Sequence, residues 1–169
     1  MFAELLVLVA LPLLLVTAVI FDLASFTIPN FLNLALFAAF AVFAGVIGLS
    51  LGAAGWHVLA GLLGLVVGFT LFALGWIGGG DAKLFAAVAL WLGFTDMMVY
   101  ALVASICGGA LTLAILLLRQ CPLPALLARQ SWLLRLHDEH SGIPYGVALA
   151  AGAFLILPST EIFRAAVAA

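Results

Sequence analysis

The sequence predicts an all-α, polytopic membrane protein, a bundle of six transmembrane helices forming one domain over residues 1–169. Of its residues 68% are hydrophobic and only 7% charged, whereas a soluble domain is nearer half apolar and a quarter charged. Mean hydropathy is +1.43. The apolar runs are continuous and about twenty residues long, enough to cross a bilayer as helices, and they lack the alternation of a membrane barrel. The lipid bilayer is therefore an expected partner, while a net charge of −2 with five basic residues argues against nucleic acid. Cys107 and Cys121 form no C-x-x-C pair, so neither a disulfide scaffold nor a zinc site is expected.

The first helix is expected over Ala3–Phe21. No Lys or Arg precedes Lys83, so this run lacks the basic start of a cleaved signal and reads as a permanent span. Pro12 is placed to kink it, and Asp22 follows its end. After a short polar loop, Pro29 biases Ile28 away from helix and Asn30 is expected to cap the second helix, Phe31–Leu49, with Asn33 one turn on. Gly52–Gly55 reads as a tight turn before the third helix, Trp56–Ile77, where Gly61, Gly64 and Gly68 give a face suited to close packing.

The run Gly78-Gly79-Gly80-Asp81-Ala82-Lys83-Leu84 breaks the apolar pattern. A short fourth helix, Asp81–Leu92, is expected to begin in irregular or recessed backbone, with Asp81 suited to its N-cap. The fifth spans Met97–Leu118, with Gly108-Gly109 allowing close contact. Gln120–Ser141 is the longest polar connection. Within it Leu126, Leu127, Leu133 and Leu134 would share one face of a short surface helix, with Trp132 and Leu136 off that face. His137 and His140 read as a solvated face rather than a metal site, and His57 as a boundary residue. The sixth helix, Ile143–Leu157, opens with Pro144 in its first turn.

Six spans put both chain ends on one side. Lys83, Arg119, Arg129 and Arg135 fall on the opposite side, which the positive-inside rule makes cytoplasmic. Asp22 and Asp81 lie two helices apart, so both face that side. Ionisable groups within membrane helices are costly and read as functional by default. Two carboxylates sharing one proton can activate water without metal or cofactor, so Asp22 and Asp81 are the candidate pair of an aspartic protease. Lys83 is read as snorkelling, with a secondary effect on Asp81. Two other readings use the same residues: a small proton- or cation-coupled transporter or channel, and a non-catalytic subunit of a secretion assembly. No internal repeat of the transporter kind is visible.

The ordered motifs resemble the bacterial type IV prepilin peptidases. Gly78 to Leu84 matches the G-x-G-D-x-K-L core of that family, Asp22 with Ile28-Pro29-Asn30 matches its other aspartate and downstream I-P-N, and Gly142-Ile143-Pro144-Tyr145-Gly146-Val147-Ala148-Leu149-Ala150 is similar to its closing helix motif. The resemblance implies an aspartic endopeptidase of the bacterial inner membrane with Asp22 and Asp81 catalytic. Gly78, Gly80, Lys83, Pro29, Asn30, Pro144 and Gly146 would support them. It implies prepilin and pseudopilin substrates, cut at the cytoplasmic face. The family's bifunctional members carry a cytoplasmic insertion with paired C-x-x-C motifs and also N-methylate the product. This chain has neither, and so resembles the peptidase-only branch serving Flp (tight-adherence) pili.

Overall fold

The computed structural model describes residues 2–124 and 129–168. Among them every regular element is helical and no strand occurs. Short α1 (Phe2–Leu5), a π-helical segment (Leu6–Ala10) and α2 (Leu11–Ser25) form one 24-residue apolar helix. Pro12 lacks an N–H and its ring crowds the carbonyl four residues back. The distortion therefore lies in the preceding wide turn, where the Leu11 N–H bonds the Leu6 carbonyl. This helix runs past its expected end, so Asp22 sits inside the last turn rather than after it. Phe26 terminates it in left-handed conformation (φ 54°).

Helix α3 (Asn30–Val46) starts with Pro29, not Asn30, at the N-cap position, and no side chain caps it. It closes in a Schellman motif: Gly48 turns left-handed (φ 65°), and the Leu49 N–H reaches the Ala44 carbonyl at 2.9 Å. The turn thus precedes Gly52–Gly55, because Ser50 caps α4 (Leu51–Ala73) by accepting the Ala53 N–H at 3.2 Å. Both expected helices shift accordingly, and the Gly52–Gly55 stretch lies in the first turns of α4.

Helix α5 (Gly79–Arg119) is interrupted at Gly93 (φ 73°, ψ −179°). Along a straight helix Phe85 and Tyr100 would lie about 22 Å apart; instead their rings stack with centroids 5.3 Å apart. The chain doubles back at Gly93, so α5 has two arms, which correspond to the fourth and fifth predicted helices. The first arm begins at Gly79 and the second directly after Gly93, both earlier than expected. His57 fills the bend. Its Nδ1 lies 2.8 Å from the Leu90 carbonyl, and its ring packs on Phe40.

Helix α4 runs antiparallel to the first arm. Gly61 meets Leu90, Gly64 meets Ala89, and Gly68 meets Ala82, so close that any added Cβ would fall within about 3 Å of a neighbour. Fully buried Trp91 donates its indole N–H to the Leu36 carbonyl at 2.9 Å, tying the first arm to α3. The second arm packs on α7 (Tyr145–Ile156), with Gly108 against Tyr145 and Ala104 against Gly152. Pro144 occupies the N-cap of α7 rather than its first turn. Beyond a 3₁₀ turn (Leu157–Ser159) comes α8 (Glu161–Ala168), a helix the sequence reading did not anticipate.

The polar connection contains the short helix α6 (Ser131–His137). Leu133 and Leu136 line an apolar hollow with Leu118, while Leu134 points outward, so the inward face is not the one expected. Leu126 and Leu127 lie outside the described residues. Arg119 clamps the end of this connection, donating to the carbonyls of Leu136 (3.0 Å), Ser141 (2.9 Å) and Gly142 (3.1 Å).

Among the described residues three helices are long and apolar enough to cross a membrane: Phe2–Ser25, Leu51–Ala73 and Gly79–Arg119. The pair Tyr145–Ser159 and Glu161–Ala168, bent by 55°, makes a fourth if counted as one broken span. Helix α3 is apolar but has 17 residues, about 25 Å against a hydrocarbon core of about 30 Å.

Candidate active site

Three helix ends converge where α2 finishes and α5 and α7 begin. Asp22, in the last turn of α2, is buried, and its Oδ2 accepts the Gly146 N–H at 2.7 Å. Gly146 is the second residue of α7, so its amide has no partner within its own helix. The positive end of α7 thus faces a carboxylate that the negative end of α2 would disfavour. Close approach demands glycine here: a Cβ on residue 146 would stand 2.7 Å from Asp22 Oδ2 and 2.8 Å from Ile28 Cδ1.

Asp81 is also buried. It does not cap α5; Gly78 holds that position, and Asp81 sits three residues on, its Oδ2 accepting the Gly78 N–H at 3.1 Å. Its other oxygen, Oδ1, is buried with no hydrogen-bond partner among the described residues. Asp22 is an electrostatic neighbour of Asp81, and the Gly146 amide lies within reach of both carboxylates. The two aspartates, 59 positions apart in the chain, meet at one buried point.

Around them, Gly80 lets α5 close onto Ile28, whose Cβ and N would both lie 3.1 Å from an added Cβ. Pro29 sets the entry to α3, and buried Pro144 the entry to α7. Lys83 and Asn30 stand apart as a pair: the exposed ammonium donates to Asn30 Oδ1 at 2.8 Å. Asn30 is therefore a partner of Lys83 rather than a helix cap. Asn33 is buried, and its amide makes no hydrogen bond among the described residues.

A cavity of about 420 Å³ opens beside Asp81 between α4, both arms of α5 and α7. Its wall is mostly apolar and includes Gly68, Phe85, Ser105, Gly109 and Tyr145. Tyr145 belongs to the motif that opens α7 and carried a signal in the sequence. Ser105 carried none, since only the reversal at Gly93 brings it opposite Asp81.

His140 is exposed on the polar connection. Its N–H and the Ser141 hydroxyl bond the Asp138 carboxylate and hold that group below the usual carboxylate range. Among the described residues no three His, Cys, Asp or Glu side chains converge as metal ligands.

No curated protein and no solved structure matches the chain. The family model described as "Type IV leader peptidase family" matches residues 9–113, more than half of the chain and a stretch that contains both aspartates. The chain therefore belongs to the type IV leader peptidase family, and is a peptidase of membrane-helix type.

Proposed function

We propose that Asp22 and Asp81 are the catalytic pair of an aspartic endopeptidase that removes the leader of Flp-like type IV prepilins and pseudopilins at the cytoplasmic face of the inner membrane. The observation that carries this reading is the meeting of two buried carboxylates at one amide, Gly146, beside an apolar cavity. Like charges so close cannot both ionise readily, so the pair holds one proton between them. The ionised member takes a proton from water, which adds to the scissile carbonyl carbon. The protonated member donates to the carbonyl oxygen. Collapse of the tetrahedral intermediate breaks the C–N bond, and the amine leaves with a proton returned by the pair. The cavity accepts apolar substrate side chains next to Asp81 and keeps bulk water from the reacting atoms.

On the six-span reading the two arms of α5 count separately, α3 counts as a short span, and α7 with α8 counts as one broken span. Lys83, Arg119 and Arg135 gather at the aspartate end, through contacts to Asn30, to the residues before α7 and to the Ala24 carbonyl (3.4 Å), whereas Arg164 belongs to α8 at the other end. That asymmetry favours a cytoplasmic active site with both termini outside. The absence of paired C-x-x-C motifs favours peptidase activity without N-methylation.

The test is cleavage of an Flp-type prepilin by the purified protein in lipid, with Asp22→Asn and Asp81→Asn compared at equal folded concentration. Wild type should cut and both variants should be dead. Aspartate-dependent proton flux in liposomes without any cleavage would replace the peptidase with the transporter reading.

A further inference from the structure

Among the described residues Tyr100 is the largest buried side chain whose polar atom has no hydrogen-bond partner. Its side chain is wholly buried, and its hydroxyl has no hydrogen-bond partner among the described residues. Leaving such a donor unmade is expensive, so each case calls for an explanation. Its surroundings supply one. Tyr100 lies on the second arm of α5, and its ring stacks on Phe85 at an interplanar angle of 18°. Phe85 stands four residues beyond Asp81, on the same face of the first arm. The ring is thereby aligned with the face that carries the carboxylate, and Asp81 is the charge its hydroxyl feels.

Asp81 has the complementary deficit. Oδ2 is held by the Gly78 amide, while buried Oδ1 has no partner. Asp81 and Tyr100 therefore carry a buried acceptor and a buried donor without partners, on two arms linked by Phe85, which lies one turn beyond Asp81 and stacks on Tyr100. Tyr100 does not line the substrate cavity, whereas its neighbours Ala101 and Ala104 do.

Resting on the peptidase reading above, we propose that Tyr100 is a positioning residue for Asp81: in the working enzyme its hydroxyl donates to Oδ1, directly or through one water. Gly78 bonds Oδ2 and the Gly146 amide lies within reach of the carboxyl, but no donor among the described residues holds Oδ1. A donor on Oδ1 fixes its plane relative to Asp22 and to the attacking water. Orientation of this kind contributes to the chemical step rather than to substrate binding.

The experiment pairs kinetics with thermal unfolding of the full chain in detergent. Tyr100→Phe keeps the stacked ring and removes only the hydroxyl. It should lower kcat about tenfold per folded enzyme and leave KM within about twofold, the pattern of a lost transition-state interaction. It should also lower Tm, and that decrease should vanish in an Asp81→Ala background. A hydroxyl that never finds a partner makes the opposite prediction, because its removal is neutral or stabilising. An unchanged or raised Tm, a Tm loss that persists in Asp81→Ala, or an unchanged kcat overturns the proposal. So does a rise in KM alone, which would make Tyr100 a shaper of the cavity. If wild type itself cuts no prepilin, the peptidase reading fails, and the unfolding cycle still decides whether Tyr100 and Asp81 are coupled.

Discussion

Gly146→Ala probes the junction of the two aspartates with a single methyl group. Its Cβ would lie 2.7 Å from Asp22 Oδ2, where ordinary contact begins at 3.4 Å. Relief requires the carboxylate and the α7 backbone to part by about 0.7 Å, the difference between those values. Ile28 Cδ1, at 2.8 Å from the same Cβ, must give way as well. That movement stretches the 2.7 Å bond from the Gly146 N–H out of good hydrogen-bonding range. A bond to a charged group contributes about 1.5–3 kcal/mol, and misplacing a reacting group by about 1 Å costs about 100-fold in rate. We therefore expect prepilin cleavage by Gly146→Ala to fall about 100-fold. The matched control is Gly45→Ala in α3, whose added Cβ meets nothing within 4 Å. Both variants are assayed at equal folded concentration, with Tm recorded for each. Gly146→Ala cleaving within threefold of the Gly45→Ala control would refute the claim that this amide positions Asp22 for the reaction.

Gly93→Ala should lower Tm by an amount equivalent to about 1–3 kcal/mol, since residue 93 has φ 73° and its Cβ would stand 2.9 Å from His57 Cε1; a Tm equal to wild type would show that the bend tolerates a side chain. Arg119→Lys keeps the charge but loses the planar fork that reaches three carbonyls before α7, so limited proteolysis should cut residues 136–142 faster and cleavage of prepilin should slow severalfold. The turn at Asp138 should persist at neutral pH. The His140 N–H and Ser141 hydroxyl depress its carboxyl, so the support they give is complete above the unfolded carboxylate value and is lost as pH falls through the lower folded one. Proteolysis at residues 138–141 should therefore rise only on the acid side of the usual carboxylate range, and an onset near neutrality would contradict that assignment.

Much of the site was legible because its residues break the sequence's own rules. Asp22, Asp81 and the glycines before Asp81 are polar or flexible interruptions in continuous apolar runs, and the motif around Gly146 stands out in the same way. Helix ends were read less well, and each miss has a local cause. A Schellman turn at Gly48 and a cap at Ser50 moved the start of α4 ahead of the glycine-rich stretch that resembled a turn. Asn30 has the side chain of a helix cap but bonds Lys83, a residue 53 positions away that no local rule could pair with it. Tyr100 and Ser105 carry no signal at all in an apolar run. Their relevance arises only when Gly93 reverses the chain and lays the second arm of α5 along the first.

The same geometry explains how two acids are tolerated in so apolar a bundle. An isolated carboxylate in such surroundings is strongly disfavoured. Each aspartate here answers that cost with a backbone amide from the first turn of a helix: Gly78 at the start of α5 for Asp81, and Gly146 at the start of α7 for Asp22. Such amides have no partners within their helices and carry the positive end of the helix dipole. They can stabilise negative charge without bringing a cation, which would hold both acids ionised and abolish the shared proton. Lys83 is near in sequence but engaged with Asn30, consistent with that need. On this argument, a basic side chain placed beside the pair should be worse for activity than a neutral one of equal size. Ile28→Lys and Ile28→Met, both unbranched side chains next to Gly146, make that comparison. If the lysine variant cut as well as the methionine variant at equal folded concentration, the requirement for a shared proton would be wrong.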